Sequence, residues 1–299
     1  MKNKATISLI ASSSILLAAL STGAHADAWS FNASPSLTQG SYSGSLQRDK
    51  LSDVGIMISG DYLDQGGVTV GVSNTRVTMK NAVPTIDQNN FVISGRKNLF
   101  LDSLPGKLTL RVDGYRLNNN DTVGGTSGVS VIAPQVSWLS SDSMLYADLG
   151  YAHSSYQDQA SFYQFTPTVG FGFNAGSDWM QMRSYLIRGL NPVITGGQSN
   201  TSALDAKWTH YFAPGASLMP AQLSLGVSTG KKMFAVDMDA LSVANLADLS
   251  KGAANISMTW NVAKATRLFV LAGQSRFSNV ALANDYKLDV VYASLSVGW

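Results

Sequence analysis

Val291-Tyr292-Ala293-Ser294-Leu295-Ser296-Val297-Gly298-Trp299 closes the sequence with a period of two. Val291, Ala293, Leu295, Val297 and Trp299 share one parity, and Tyr292, Ser294, Ser296 and Gly298 share the other. Two unlike faces at that period describe a β-strand whose sides meet different surroundings. The run stops on the aromatic of its apolar face, whereas the ends of soluble domains are usually polar and frayed.

This ending resembles the C-terminal signal of bacterial outer-membrane β-barrels, whose last strand closes the sheet and ends in Phe or Trp. The resemblance implies an all-β transmembrane, antiparallel, up-and-down barrel, inserted by barrel-assembly machinery through that strand, and it implies no activity. The first residues agree with it. Lys2 and Lys4 precede a largely apolar core from Ile7 to Leu20, and Ala24-His25-Ala26 supplies a small-residue cleavage site. Residues 1–26 therefore read as a secretory signal peptide cut after Ala26. Its core falls short of the roughly 20 apolar residues of a spanning helix, and no later segment reaches that length. A membrane form of residues 27–299 must then be a barrel, because only helices and closed barrels satisfy every backbone polar group in lipid.

Removing Lys2 and Lys4 from the 21 basic residues leaves 19 against 19 acids, so the exported chain is formally neutral. Every acid is Asp. Asp favours turns and caps where Glu favours helices, which argues against a helical protein. Cys is absent, so neither disulfides nor thiolate chemistry arise, and the metal ligands left are few. We expect no cofactor and no bound metal, and the charge balance gives no basic surface for nucleic acid.

Alternation recurs along the chain as one domain. Val54, Ile56 and Ile58 share a parity, as do Val68, Val70 and Val72, and Leu108, Leu110 and Val112 oppose Thr109, Arg111 and Asp113. Tyr163, Phe165, Val169, Phe171 and Phe173 oppose Gln164, Thr166, Thr168, Gly170 and Gly172, whose glycines relieve crowding on the polar side. Short connections fall near residues 64–67, 104–107, 140–143, 174–178, 214–220 and 262–266. Longer ones fall near 81–90, 118–128, 155–161, 189–201, 232–251 and 278–286. Barrels of this class keep short turns in the periplasm and long loops outside. Counting back from Trp299 on that rule gives thirteen segments down to Val54–Tyr62, and an even number needs one more. The stretch 37–47 supplies it, with 49–53 as the outer connection. The expectation is about 14 strands, or 12 if the chain has been divided too finely, similar in number and length to fourteen-stranded porins.

Tyr62, Trp138, Phe173, Phe212, Trp260 and Trp299 fall at strand ends on the predicted periplasmic side, as an interfacial girdle of aromatics would. Apolar parity changes between Val131 and Trp138 around Pro134, which predicts a bulge there. A soluble sandwich or a lipid-binding barrel would alternate too. The terminal Trp, the aromatic strand ends and the polar inward parity favour the membrane barrel.

On the polar parity lie Arg111, Asp113, Asp148, Arg183, Asp205 and Lys207, the candidate pore-lining charges, which either line an open lumen or pair across it and fill it. His153 and Ser155 lie two apart on one strand face, on the lipid side near its outer end. That spacing resembles the His-x-Ser arrangement of outer-membrane phospholipases and lipid A deacylases, in which a histidine base activates a serine. The chain offers no Glu, and the strands placed beside this one offer no outward Asp or Asn at matching height, to orient that histidine. Asp237, Asp239 and Asp248 lack the ligand density of a calcium loop. The expected function is passive diffusion of ions or small hydrophilic solutes through an outer-membrane channel. The alternatives are a lipid hydrolase using His153 and Ser155, and a structural or export-associated barrel without an open pore. Outer-membrane lipids, the assembly machinery and small solutes are the expected partners.

Overall fold

The computed structural model describes residues 28–299 apart from 82, 122–124, 158–159, 191–196, 214–218 and 246. The signal-peptide reading of residues 1–26 lies outside the described residues. Period-two segments become the strands β1 (Trp29–Ser43), β2 (Arg48–Tyr62), β3 (Gly66–Met79), β4 (Ile86–Leu101), β5 (Leu104–Asn119), β6 (Val129–Leu139), β7 (Leu145–Ser155) and β8 (Ser161–Phe173). They continue with β9 (Asp178–Leu190), β10 (Asn200–Tyr211), β11 (Gln222–Lys232), the two-residue strands β12 (Val236–Asp237) and β13 (Ser242–Val243), and β14 (Leu249–Ala263), β15 (Thr266–Asn279) and β16 (Asn284–Gly298). All but β12 and β13 form one closed sheet of fourteen strands, each hydrogen-bonded to its sequence neighbours and β16 to β1. Closure leaves no open sheet edge among them.

The terminal strand performs the closure. Ala33 pairs with Val297 and Ser43 with Lys287 along β1 and β16, and Phe31 and Trp299 exchange both backbone hydrogen bonds at 3.0 Å. Both described chain ends therefore sit at one end of the barrel, with the turns at 63–65, 102–103, 140–144, 174–177 and 264–265 and the strand ends at Tyr211 and Gln222. Tyr62, Trp138, Phe173, Phe212, Trp260 and Trp299 all lie at this end, beside Trp29, whose ring is 5.3 Å from that of Tyr62. The other strand ends, at Ser43, Met79, Asn119, Ser155, Leu190, Lys232 and Asn279, lie at the opposite, loop end.

Outward parity is apolar over the middle of the wall. Val54, Val70, Leu110, Ile132, Phe165, Leu204 and Val291 are all exposed. A continuous apolar belt of this kind is costly in water and is solvated by lipid. It is the surface of a membrane-spanning barrel.

Several boundaries differ from the sequence reading: the turn expected at 104–107 falls at 102–103, and the loop expected at 81–90 ends where β4 begins at Ile86. The first strand runs over Trp29–Ser43, not 37–47, and the first outer connection is 44–47, not 49–53. Gly44 takes φ +76 there, and the Ser45 hydroxyl accepts from the backbone N–H of Arg48 at 2.9 Å, so the chain reverses early. Asp53 stays within β2, where the Thr75 hydroxyl donates to it at 2.5 Å. The connection expected at 278–286 shrinks to a turn at 280–283, with Ala283 at φ +48. Finally, β6 carries no bulge at Pro134. Its register with β5 runs unbroken from Lys107–Leu139 to Leu117–Val129, with Trp138, Val136, Pro134 and Ile132 on one parity. Val129, Val131 and Ala133 instead face inward and are fully covered. What covers them is the central feature of the lumen.

Candidate functional site: the lumen and its inner loop

The connection from β11 to β14, Met233 to Asp248, folds back into the barrel. Its β12 and β13 pair as Val236 with Val243 and Asp237 with Ser242, and the Ala244 N–H donates to the Ala235 carbonyl at 2.8 Å. Met233, Phe234, Val236 and Met238 are at most 2 % exposed, so this loop is anchored by an apolar side. It rests on an apolar seat formed by inward residues of neighbouring strands: Val129, Val131 and Ala133 of β6, Ala152 of β7, Phe162 of β8 and Ile187 of β9. The Phe234 ring lies 4.6 Å from that of Phe162 and 4.7 Å from that of Tyr156. Glycines make room for it. A Cβ on Gly150 would come within 2.7 Å of the Met238 methyl, and one on Gly189 within 2.7 Å of the Phe162 ring that Phe234 packs on. Gly170 and Gly172 likewise underlie the Trp179 ring on the inward face.

Polar contacts fix the loop around that apolar centre. The Gln164 amide clasps the backbone of Val236, donating to its carbonyl at 2.7 Å and accepting from its N–H at 3.0 Å. Arg183 donates to the Thr168 hydroxyl at 2.8 Å, and its guanidinium lies 3.4 Å from Asp148, 3.0 Å from Asp239 and 3.7 Å from Asp237. Three carboxylates around one buried cation compensate its desolvation. Arg111 holds Asp113 through two hydrogen bonds of 2.8 and 2.7 Å and also donates to the Met238 carbonyl. Asn245 donates to Gln88 at 2.6 Å and to the Thr126 carbonyl at 2.7 Å. At the loop's far end Asp248 pairs with Arg48 and accepts from the Tyr286 hydroxyl at 2.6 Å.

All six charges chosen from the sequence face inward, but the loop divides them. Arg111, Asp113 and Asp148 lie beneath it, Asp113 completely buried. Arg183 lies at its edge, while Asp205 and Lys207 line the open part of the lumen. Lys232 holds Asp205 at 2.9 Å from both carboxylate oxygens, and Lys207 has no ion-pair partner among the described residues. The open part is a cavity of about 1030 Å³ between the loop and the walls of β1–β5, β9–β11 and β14–β16. Its wall carries a ladder of short polar side chains. Asn90 donates to Ser73 at 3.0 Å and to Thr75 at 3.1 Å, and Gln88 donates to Asn90 at 2.7 Å. Asp53, Asn119, Asn255 and Ser257 extend it.

His153 and Ser155 both face outward, as expected, and make no hydrogen bond to each other among the described residues. The imidazole stacks on the Tyr163 ring at 4.8 Å. Asp237, Asp239 and Asp248 are spent on Arg183 and Arg48.

The inner loop was missed by the sequence reading, which left 232–251 as an outer connection of unstated fold. Its signal was present as Met233-Phe234-Ala235-Val236-x-Met238, an apolar run inside a loop, matched by the misplaced apolar parity of Val129 and Val131.

No protein-family model matches the chain, and no curated protein matches it by sequence. Among solved structures it is similar to the outer membrane protein Omp33 of Acinetobacter baumannii, at 8% identity and a TM-score of 0.43, covering 90% of this chain and 99% of that one. It is similar to OccK7 of Pseudomonas aeruginosa at 8% identity and a TM-score of 0.43, over 91% and 98% of the two chains. A bacterial polysaccharide outer membrane secretin aligns at 8% identity and a TM-score of 0.49, over 89% and 98%.

Proposed function

We propose that the chain is a channel of the bacterial outer membrane for passive diffusion of ions or small hydrophilic solutes, with the inner loop fixing its bore. The observation that carries this reading is the cavity beside the loop. About half of its lining is Ser, Thr, Asn, Gln and charges of both signs, set among apolar residues, and that polar share suits hydrated solutes rather than lipid. Asp205 and Lys207 line the passage in this reading. Arg183 braces its edge, and Arg111, Asp113 and Asp148 hold the loop instead of meeting solute. The aromatic end, from Trp29 and Tyr62 round to Trp260 and Trp299, sits at the periplasmic interface, and the loop end faces outside. Assembly machinery engages β16, whose pairing with β1 is the last closure to form.

Reconstitution of the purified barrel in a planar bilayer tests this directly. Stepwise conductance is expected. A folded barrel that leaves the bilayer's leak current unchanged overturns the channel reading and leaves a structural or export-associated barrel.

A further inference from the structure

The outward face of β7–β10 carries a band that transport does not use. Register places His153, Tyr163, Arg188 and Asn200 directly beside one another across four strands. The next rung toward the barrel middle is Tyr151, Phe165, Leu186 and Ser202. A polar rung carrying one cation thus sits directly upon an aromatic and aliphatic one, at the loop end of the apolar belt. The rungs are also not flush. Tyr151 and Phe165 meet edge to face at 5.1 Å, while the short Ser202 leaves a groove of about 780 Å³ open between β8 and β10. Arg188 is exposed and has no ion-pair or hydrogen-bond partner among the described residues. Of the other outward arginines at this end, Arg76 is engaged by Asp87 at 2.6 Å and Arg116 by the Ser130 hydroxyl at 2.6 Å, while Arg276 is exposed with no such partner among the described residues.

We infer that this band holds one phosphorylated glycolipid of the outward leaflet, of the lipid A kind. Arg188 takes a phosphate through charge-assisted hydrogen bonds, the strongest contact an exposed guanidinium makes. Asn200 and the Tyr163 hydroxyl, one donating and accepting and the other flanking it, meet sugar hydroxyls, and the stacked His153 holds the Tyr163 ring. An acyl chain lies down the groove against Phe165 and Leu186. A phosphate-bearing headgroup at the edge of the belt with its chain below matches the order of the two rungs. The sequence pair His153 and Ser155, which makes no dyad, thereby gains a role through its histidine. The inference rests on the reading above only for which end of the barrel faces outward.

Native mass spectrometry of the detergent-purified barrel, with bisphosphorylated lipid A, its dephosphorylated form and phosphatidylglycerol as probes, tests it. One lipid A per barrel is expected, with retention about tenfold lower for Arg188→Gln, the loss of one charge-assisted contact. Ser202→Phe fills the groove without touching the charge and should reduce retention as well. Lys97→Gln, outward at the opposite end, should leave retention unchanged. Heat-modifiable migration on gels verifies that each variant is folded. Equal retention by wild type and both groove variants overturns the site. Equal retention of the dephosphorylated form removes the phosphate contact, and equal retention of phosphatidylglycerol removes the glycolipid assignment. Since retention is read without current, a silent barrel that holds lipid A would sink the channel and leave this site standing.

Discussion

The inner wall of the barrel has two unlike halves. From β6 to β9 the inward residues near the loop end are apolar, Val129, Val131, Ala133, Ala152, Phe162 and Ile187. From β14 round through β1 to β4 a short polar set faces inward below the loop end, Asn255, Ser257, Ser36, Thr38, Ser73, Thr75 and Asn90, and an apolar cluster at Tyr42, Val77 and Tyr286 lies above it. Strand geometry is the same in both halves, so the difference follows from what each half touches. One is packed against the inner loop, and the other faces the open cavity. Inward polarity in a barrel therefore reports the contents of the lumen at that height, since an apolar face next to water would be costly and a polar face under Phe234 would go unsatisfied.

Exchanging the character of the packed half should have the largest effect. Phe234→Asp puts a carboxylate between Phe162 and Tyr156, where it has no cationic partner. Losing a buried Phe side chain alone costs about 3–5 kcal/mol, and an unpaired buried charge adds to that. The barrel itself keeps its closed hydrogen-bonded sheet, so the loop leaves its seat while the strands hold. Single-channel conductance should rise severalfold, with new protease cleavage between Lys231 and Lys251. Unchanged conductance in a folded barrel would mean that the loop does not set the bore.

That half also marks where the sequence was legible and where it was not. Strand number, closure by β16 and the outward faces followed from a period of two and an even count, because lipid imposes one rule on every outward residue. The inward side obeys no single rule. Val129 and Val131 looked like a parity change at Pro134 because a period-two reading assigns apolar residues to lipid by default. Only the return of residues 233–248 gives them another apolar neighbour, and that contact joins segments far apart in sequence. Arg111, Asp113 and Asp148 were placed on the correct face for the same reason, yet nothing local separates a charge under the loop from one in the passage such as Lys207. For His153 and Ser155 the spacing gave the face, and the ring stacking on Tyr163 needed the neighbouring strand.

A smaller effect is expected at the border of the two halves. Arg183→Met keeps much of the side-chain volume and removes the charge shared by Asp148, Asp237 and Asp239. Breaking a buried pair from one side costs about 3–5 kcal/mol when the remaining charge stays buried. Here the cost falls on Asp148, since the two loop aspartates are nearly half exposed and regain solvation by moving. The loop should remain on its apolar seat but fluctuate, giving noisier open-channel current with a mean raised less than by Phe234→Asp. Adding Asp148→Asn should quieten the current again. If the double variant is as noisy as the single, the loop aspartates rather than Asp148 carry the cost.

The smallest effect separates two tyrosines at the loop end. The Tyr286 hydroxyl donates to Asp248 at 2.6 Å and accepts from Arg48 at 2.5 Å, so it belongs to the polar anchoring. The Tyr156 hydroxyl is buried in the apolar seat with no hydrogen-bond partner among the described residues. Tyr286→Phe should therefore destabilise by about 1.5–3 kcal/mol, the worth of hydrogen bonds to charged groups. Tyr156→Phe should leave stability unchanged or raise it by up to about 1 kcal/mol, because it removes an unsatisfied polar atom. Burial pushes the Tyr156 phenol up from its ordinary value. Above about pH 10 the unfolded chain's phenol ionises while the folded one stays protonated, so wild type loses stability there through this group. Tyr156→Phe escapes that loss, and its thermal midpoint should pull ahead of wild type as pH rises past that point. Parallel curves for the two proteins would place the Tyr156 hydroxyl in contact with water, and the apolar seat would then be open at its outer rim.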